Sequence, residues 1–300
     1  MKFLITGDCH LTSKRPGNRC DDYWETIKRK FQFVLSTASD KGVDYVLCPG
    51  DLTDSPFISW SDFSEIVHII NYNEVNILVP WGQHDLRYRT RGNTALDALS
   101  ASCESLFIMD GRDLPEEKIC IYSAPYGSDI PEIKDKDDFN VLLVHRMIIK
   151  DNPLWEGQTD YVSAKNFLRK YPFNLVVSGD NHQSFVEHNE RRNSYLFNCG
   201  SLTRSRIDQI DHEPVIYICD TETKKFEKIF IPIEPAGKVF LLDKIEREKE
   251  RNADLDSFVS GLLEYEDMGL DFGNNLSVYC KENTVDKEIV SIIDEAKEEI

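Results

Sequence analysis

Residues 3–10 read Phe3-Leu4-Ile5-Thr6-Gly7-Asp8-Cys9-His10, a short apolar run that ends abruptly in a glycine and in two side chains able to bind a metal. An unbroken apolar run of this length suits a strand that is buried on both faces of a sheet. Because one residue separates Asp8 from His10, both side chains can turn to the same side of the loop after the strand. The chain uses this unit of strand and polar end five times.

The other four units follow the same pattern of an apolar run and a polar end. The runs are residues 45–48, 77–80, 141–144 and 175–178, and their ends are Gly50-Asp51, Gly82-Gln83-His84-Asp85, His145 and Gly179-Asp180-Asn181-His182. Residues 21–38 and 60–71 place apolar side chains at helical spacing between the first three strands. Strands that alternate with helices predict an α/β domain. In such domains the carboxyl ends of neighbouring strands converge on one crevice, so all five ends are candidates for a single site.

Each polar end has an ordinary explanation when it is taken alone. An Asp at a strand end more often forms a turn, and His145 is as readily explained as a hydrogen-bonded core residue. Five unrelated turns that place carboxylate, carboxamide and imidazole groups at one sheet edge are harder to explain by chance. These donors suit pairs of Mn²⁺, Fe²⁺ or Zn²⁺, and two metals about 3.5–4 Å apart hold a phosphate and activate water at neutral pH. The residues therefore favour a two-metal phosphoesterase.

The polar ends resemble, in order, the motifs of the calcineurin-like metallophosphoesterase superfamily over residues 1–235: Asp8-x-His10, Gly50-Asp51-x-x-Asp54, Gly82-Gln83-His84-Asp85, His145 and Gly179-Asp180-Asn181-His182. The segment Gly200-Ser201-Leu202-Thr203-Arg204, with the hairpin and C-terminal appendage after it, is similar to SbcD-type DNA exonuclease subunits. The resemblance implies an α/β fold in which two mixed sheets pack face to face with helices outside, an αββα sandwich. It also implies a small C-terminal α+β cap.

The resemblance further implies a role for each motif residue. Seven residues would be metal ligands: Asp8, His10, Asp51 and His182 around one ion, and Asp51 as a bridge with Gln83, His145 and Asp180 around the other. His84 would be the unligated histidine that stabilises the phosphorane or protonates the leaving oxygen. Asp85 would orient His84, although an Asp that caps a helix explains this position equally well.

Three positions depart from the pattern of the superfamily. Gln83 stands where Asn is usual, Asp180 where His is usual, and Asp54 where the nuclease branch commonly has His. Gln83 and Asp180 both keep a donor oxygen, and Asp180 adds a negative charge. We therefore predict a harder second site that favours Mn²⁺ or Mg²⁺ over Zn²⁺, with Mn²⁺ as the first choice for both ions and Mg²⁺ or Fe²⁺ as alternatives.

Substrate-binding candidates lie beside these motifs. Arg87 follows the Gln83-His84-Asp85 turn, and Arg204 and Arg206 follow the Gly200-Ser201 segment. Arginines next to a metal pair hold flanking phosphates in a bidentate manner, although a solvated surface explains Arg87 as well. Asp54 completes the set of substrate-binding candidates.

Composition limits the remaining choices. The chain has 300 residues, 41% of them hydrophobic, and a net charge of −18. Residues 236–300 carry 8 Lys and Arg against 17 Asp and Glu, which is half of that excess. This acidity argues against purely electrostatic binding of nucleic acid, although bound divalent cations would offset it locally. We predict a catalytic domain over 1–235, and an acidic cap or partner-binding domain over 236–300 with a helix at 243–266, a strand at 276–280 and a helix at 285–299.

The compartment follows from two further features. The eight cysteines are scattered without a Cys-x-x-Cys spacing, which indicates free, mostly buried thiols in a reducing compartment. The sequence holds no apolar run long enough to span a membrane. We expect a cytoplasmic protein with no membrane association.

Three functions remain open on the sequence. The favoured one is Mn²⁺-dependent hydrolysis of DNA by an SbcD-type exonuclease or endonuclease in DNA repair or recombination, with an SbcC-type ATPase or a second copy of the chain as partner. The net charge modestly favours a phosphodiesterase or phosphatase that acts on nucleotides or phosphoproteins. A non-catalytic scaffold on the same fold is the third, and it is disfavoured because every ligand position keeps a donor.

Overall fold

The computed structural model describes residues 1–151, 153–155, 157–242 and 272–298. The chain divides into two compact units, Met1–Phe240 and Leu241–Ile300. The first unit carries all five polar strand ends.

The described residues form fourteen strands. They are β1 (Lys2–Ile5), β2 (Tyr45–Leu47), β3 (Ile77–Val79), β4 (Leu106–Ile108), β5 (Leu114–Glu116), β6 (Ile119–Ala124), β7 (Phe139–His145), β8 (Ile148–Ile149), β9 (Val162–Ser163), β10 (Leu175–Gly179), β11 (Phe185–Asn189), β12 (Ser194–Asn198), β13 (Val215–Asp220) and β14 (Lys225–Phe230). The helices with described bounds are α1 (Tyr23–Lys41), α2 (Trp60–Asn73), α3 (Ala95–Ser102), α4 (Ala164–Lys170), α5 (Ala236–Val239), α6 (Phe272–Glu282) and α7 (Lys287–Glu298).

Twelve of these strands build two six-stranded mixed sheets. The order in sheet 1 is β14-β13-β1-β2-β3-β4, and the order in sheet 2 is β11-β12-β10-β7-β6-β5. Strands β1 to β4 are parallel, as are β12, β10, β7 and β6, while antiparallel strands complete the edges. The parallel strands therefore point their carboxyl ends at one edge of each sheet.

Side chains that alternate along β1 show how the layers pack. Phe3 and Ile5 lie in a core cluster with Val141 and Leu143 of sheet 2, whereas Leu4 packs in a second cluster with α1 and α2. Successive side chains of a strand point to opposite faces, so an unbroken apolar run fills both layers. A third cluster covers the outer face of sheet 2 with α4. The predicted two-sheet sandwich with outer helices is confirmed.

The ends of the first two helices follow local sequence signals. The Asp22 side chain accepts a hydrogen bond from the Glu25 backbone N–H at the start of α1, and Gly42 ends that helix in the left-handed conformation. Ser59 caps α2 through the backbone N–H of Asp62. Such caps satisfy backbone groups that have no partner within the helix, so each helix returns the chain to the next strand of sheet 1.

One element in the C-terminal segment was predicted wrongly. Residues 276–280, expected to form a strand, lie within helix α6. Leu276, Tyr279 and Cys280 are three and four positions apart, which is helical spacing, and a short apolar run is compatible with either structure. The expected final helix is present as α7, and the expected helix at 243–266 lies outside the described residues.

Two predictions from composition concern the cysteines and membrane-spanning helices. Six of the eight cysteines are buried, and those six are free thiols. Within the described ranges we find no helix with the length and apolarity that a bilayer crossing requires.

Candidate metal centre

Five strand ends bring the candidate ligands together. Asp8 follows β1, Asp51 follows β2, Gln83 follows β3, His145 ends β7, and Asp180 and His182 follow β10. The backbone N–H groups of Cys9 and His10 both donate to the carbonyl oxygen of Asp51, which joins the first two loops directly.

The backbone is strained at three of these positions. His10, Asp51 and Asp180 have φ values of 47°, 47° and 76°. Residues other than glycine rarely adopt this region, and such strain concentrates at functional sites, where the surrounding structure maintains it. The strain is a signal that the sequence does not display.

Asp51 lies at the centre of the cluster. Its Oδ2 atom is 3.7 Å from His10 Nε2 and 3.3 Å from His145 Nε2, while its Oδ1 atom accepts a hydrogen bond from the backbone N–H of His84 at 2.8 Å. The carboxylate therefore faces two imidazoles that come from different sheets. This is the place that a bridging ligand between two ions would occupy.

His10 and His182 form the other side of the cluster. Their Nε2 atoms lie 3.1 Å apart, and His182 Nε2 is 3.7 Å from Asp8 Oδ2. Two imidazole nitrogens this close repel when both present lone pairs, and a shared cation removes the repulsion. Asp8 is held in place because its Oδ2 atom also accepts the backbone N–H of Asp180 at 2.8 Å.

A backbone carbonyl fixes the orientation of His145. Its Nδ1 atom lies 3.0 Å from the carbonyl oxygen of Pro49, so Nδ1 carries a proton and Nε2 is directed at Asp51. A metal-binding histidine commonly donates its second ring nitrogen in this way. Burial alone would lower the pKa of His145, but the Asp51 carboxylate outweighs it and raises the pKa to about 10.

The two buried aspartates carry charge that the protein alone stabilises poorly. Burial raises the pKa of Asp8 to about 7, and the neighbouring Asp51 carboxylate adds to that rise. Burial would also raise the pKa of Asp51, but His145 and His10 hold it below its ordinary value. A divalent cation among these groups would favour the ionised form of both carboxylates.

Several donors in the cluster are buried without a partner. Among the described residues, Asp8 Oδ1, Asp51 Oδ2 and His145 Nε2 have no hydrogen bond, whereas buried polar atoms are nearly always paired in native proteins. Three overlapping groups bring their ligand atoms within 4.8 Å of one another: Asp8-His10-His182, Asp8-Asp51-His145 and His10-Asp51-His84. This donor set fits divalent ions of the Mn²⁺, Fe²⁺ or Zn²⁺ type.

Gln83 and Asp180 lie beside this cluster and contact each other. Gln83 Nε2 donates a hydrogen bond to Asp180 Oδ1 at 2.8 Å. Neither residue is part of the three groups found among the described side chains. The assignment of both as ligands of the second ion therefore stays a prediction.

His84 stands at the mouth of the cluster. Its ring meets the His10 ring edge-on at 4.7 Å between centroids, and its Nδ1 atom lies 3.0 Å from the backbone carbonyl of Asp54. The Asp54 carboxylate lies between the two histidines, with Oδ1 3.2 Å from His10 Nδ1 and 3.7 Å from His84 Nδ1. Asp54, predicted to contact substrate, is thus placed to orient both histidines.

Asp85 does not orient His84, contrary to the prediction. It is fully buried, and its Oδ1 atom accepts hydrogen bonds from the backbone N–H and the hydroxyl of Thr53, each at 3.0 Å. Its Oδ2 atom accepts the backbone N–H of Gly82 at 3.1 Å. Because both oxygens are occupied, Asp85 ties the loop after β2 to the turn after β3.

Arg204 is also not where a substrate-binding residue would be. It is buried, and its guanidinium donates to the backbone carbonyls of Ile210 and Glu234. Its Cζ atom lies 5.6 Å from the centroid of the Phe240 ring. The side chain therefore holds the segment after β14 against the body of the fold.

The other two predicted arginines are exposed. Arg206 lines the cleft at the metal cluster, together with His84 and His182. Arg87 stacks over Phe57 at 5.1 Å and over Tyr88 at 5.4 Å. Arg87 does not line this cleft, so of the two Arg206 is the one beside the candidate ligands. The cleft has a volume of about 600 Å³.

The motif glycines are required by close approach to the ligands. A Cβ atom at Gly82 would lie 2.1 Å from Asp51 Oδ1, and one at Gly50, whose φ is 125°, would lie 2.4 Å from His145 Nδ1. Any side chain at either position would displace a candidate ligand.

The Gly200-Ser201-Leu202 segment has a structural role that sequence reasoning missed. Ser201 N–H donates to the carbonyl of His182, and Leu202 N–H donates to the carbonyl of Asp8. The segment thus joins the first and last motifs. Its signal in the sequence is the small residue pair Gly200-Ser201, separated by one residue from the end of β12.

Residues 1–184 match the family model described as calcineurin-like phosphoesterase. The chain belongs to this family. This phosphoesterase is 33% identical over 108 residues to the DNA double-strand break repair protein Mre11 of Aeropyrum pernix, an alignment that covers 34% of the chain and 25% of that protein. The chain therefore spans about a quarter of the length of this relative.

Two solved structures are similar to this phosphoesterase at low sequence identity. The protein TT1561 of Thermus thermophilus is 12% identical, with a TM-score of 0.47, and the match covers 77% of this chain and 99% of that one. A dimetal phosphatase from Danio rerio is 10% identical, with a TM-score of 0.49, and the match covers 78% of this chain and 99% of that one.

Proposed function

We propose that this phosphoesterase is a nuclease that hydrolyses DNA phosphodiesters with two divalent ions, Mn²⁺ in preference. The observation that carries the proposal is the position of Asp51 Oδ2, buried without a hydrogen bond between the Nε2 atoms of His10 and His145. Asp8, His10, Asp51 and His182 would hold one ion, and Asp51, His145, Gln83 and Asp180 the other. Bound there, the ions would supply charge to stabilise the reacting phosphate and a water of lowered pKa.

The chain's own residues supply the remaining chemistry. His84 is directed at the cleft with Nε2, since Nδ1 is held by the Asp54 carbonyl. A protonated His84 would donate from Nε2 to the leaving oxygen or to a phosphate oxygen. Arg206 and Lys14 line the same cleft and would bind phosphates on either side of the scissile bond.

DNA is the favoured substrate for two reasons. The Mre11 relative is by its name a DNA double-strand break repair protein. The cleft is also about 600 Å³ in volume and has cationic residues on its lining, which suits a chain of nucleotides better than a single phosphate. An SbcC-type ATPase partner and a homodimer remain predictions from the resemblance.

A specific observation favours a second candidate, the hydrolysis of small phosphoesters such as nucleotides. Asp54, Asp180 and Asp208 also line the cleft, and the chain has a net charge of −18. Both features disfavour a long polyanion more than a small one.

Cleavage assays separate the two candidates. The wild type is incubated with end-labelled duplex and single-stranded DNA, bis-p-nitrophenyl phosphate and p-nitrophenyl phosphate, each with Mn²⁺ or with EDTA. We expect Mn²⁺-dependent cleavage of DNA, reduced about 10²- to 10⁴-fold by His84→Ala. His68→Ala, which removes an exposed histidine of α2, is the matched control and should cleave like the wild type.

The outcomes point to different functions. Cleavage of the small esters without any degradation of DNA would replace the nuclease by the second candidate. A folded wild type that is inactive on all four substrates would support the scaffold. Metal analysis of the Mn²⁺-loaded protein gives an independent test, because two ions per chain are expected in the wild type and fewer in Asp51→Asn. The exposed Asp40→Asn change should leave the count at two.

A further inference from the structure

The lining of the cleft changes in chemistry from one chain segment to the next. Lys14 lies in the loop after β1 and Arg206 in the segment after β12, and both are charged. The segment between β8 and β9 instead contributes Leu154 and Trp155. Phosphate binding alone does not require these apolar side chains.

Trp155 is exposed although it is a large apolar side chain. The residue is 54% exposed, and it lines the same cleft as His84 and His182. Met147 and Leu154 line the cleft beside it, so Trp155 belongs to an apolar part of the lining and is not a single exposed side chain.

The turn that contains Trp155 is stabilised by hydrogen bonds to Gln158, a buried residue. Gln158 is only 6% exposed, and its Oε1 atom accepts the backbone N–H of Leu154 at 2.8 Å. Its own backbone N–H donates to the carbonyl of Trp155 at 3.3 Å. The indole is therefore presented from a hydrogen-bonded turn, which reduces the ordering that binding would require.

We infer that Trp155 forms a stacking platform for a nucleobase next to the scissile phosphate. Every base has a π-face, so stacking on an indole is tolerant of sequence and adds to the phosphate contacts made by Lys14 and Arg206. The inference rests on the proposed nuclease function, and it extends that function by naming the group that recognises the base. It makes Trp155 a substrate-binding residue that takes no part in proton transfer.

Binding of two matched oligonucleotides tests the platform without turnover. One is an ordinary single-stranded oligonucleotide, and the other has the same length and charge but abasic sites in place of its bases. Both are titrated by fluorescence anisotropy against the full chain carrying His84→Ala, in Mn²⁺. We expect the ordinary oligonucleotide to bind about tenfold more tightly than the abasic one, since stacking adds to affinity base by base.

Substitutions at Trp155 then test whether this residue causes the difference in affinity between the two oligonucleotides. Trp155→Ala should bind both oligonucleotides with the affinity that the parent shows for the abasic one, and Trp155→Phe should retain most of the preference. Trp60→Ala is the matched control, because Trp60 is 85% exposed and does not line the cleft. Circular dichroism of each variant verifies that it is folded.

Two results would overturn the inference. One is a parent protein that binds the two oligonucleotides equally, and the other is a Trp155→Ala protein that keeps the full preference. Failure of the nuclease proposal is seen separately, as an absence of DNA cleavage by the wild type in Mn²⁺. Because binding is measured apart from cleavage, failure of the platform and failure of the nuclease proposal are distinguishable.

Discussion

Gln83 donates a hydrogen bond to Asp180, with 2.8 Å between Nε2 and Oδ1. The two residues follow strands of different sheets, and each replaces a different residue type of the superfamily pattern. As ligands of the second ion, the two residues would offer it oxygen donors, with a carboxylate in place of an imidazole at Asp180. We therefore predict that this pair sets the metal preference of the second site.

Replacement of Asp180 by histidine should shift metal preference towards zinc. In Asp180→His we expect the ratio of Zn²⁺ to Mn²⁺ affinity at the weaker site to rise by at least about tenfold, because imidazole suits zinc better than a carboxylate does. Competitive titration calorimetry measures the ratio. Asp208→His, at another carboxylate of the cleft lining, should not change it, and an unchanged ratio in Asp180→His would remove Asp180 from the ligand set.

The side-chain carboxylate of Asp54 should strengthen metal binding. This role is distinct from that of the Asp54 backbone carbonyl, which contacts His84. Asp54→Asn removes the charge 3.2 Å from His10 Nδ1 but keeps the backbone carbonyl that holds His84. Loss of such an outer partner typically weakens metal binding about 10- to 100-fold. We expect the Kd for Mn²⁺ to rise by that factor, while kcat at saturating Mn²⁺ falls far less than in His84→Ala. Equal loss of kcat in both variants would show that the carboxylate acts in the chemical step.

Because Lys30 is buried, the free energy of unfolding should depend on pH in the alkaline range. The side chain is buried and donates from Nζ to the carbonyl of Leu202. Burial lowers the pKa of Lys30 to about 7, and Arg204 and Arg19 add to that decrease. Between that value and the ordinary lysine pKa the unfolded chain binds more protons than the folded one, so the free energy of unfolding rises with pH.

Urea unfolding at pH 7, 8 and 9 measures the contribution of Lys30. The wild type should gain up to about 1.4 kcal/mol per pH unit relative to Lys30→Met, since one pKa unit corresponds to that free energy. Lys165→Met, at an exposed lysine of α4, should parallel the wild type. Parallel curves for the wild type and Lys30→Met would mean that Lys30 keeps its proton throughout this range.

Substitution of Arg204 should lower the stability of the protein, whereas substitution of Arg206 should weaken substrate binding. Arg204→Met leaves the part-buried carbonyls of Ile210 and Glu234 without their donor, and we expect a loss of about 2–4 kcal/mol in the free energy of unfolding. Arg206→Ala should leave that free energy unchanged and raise KM for DNA several-fold. Thermal melts and steady-state kinetics on the two variants check this, and an exchange of the two effects would reverse the assignment.

The strand ends could be predicted from the sequence because their signal is local. An apolar run followed by glycine and a metal-binding side chain, as at Gly7-Asp8 and Gly179-Asp180, contains both the strand and the ligand within a few residues. The rule that parallel strands share a carboxyl edge then brings distant ends together. The two-sheet architecture was predicted from the family resemblance, and the structure confirms it.

The errors occur where a role depends on distant partners. Asp85 stands in a motif beside His84, but it was its contacts with Thr53 and Gly82 that removed it from the catalytic group. Arg204 was misassigned because its acceptors lie 6 and 30 residues further along the chain. The false strand at 276–280 shows a different limit, since a run of five residues does not distinguish the two periodicities.

The pairing of β1 with β13 has a consequence for how the molecule is made. β1 lies between β2 and β13 in sheet 1, and Lys2 stands opposite Asp220. β1 therefore obtains its second neighbour only from a strand more than two hundred residues further along the chain, beyond the end of the family match at residue 184. Contacts of such long sequence separation make folding slow. Until Val215–Asp220 is synthesised, the Asp8 loop is attached to an open sheet edge of the kind that promotes aggregation, so a shorter fragment containing every metal ligand should be recovered as insoluble protein.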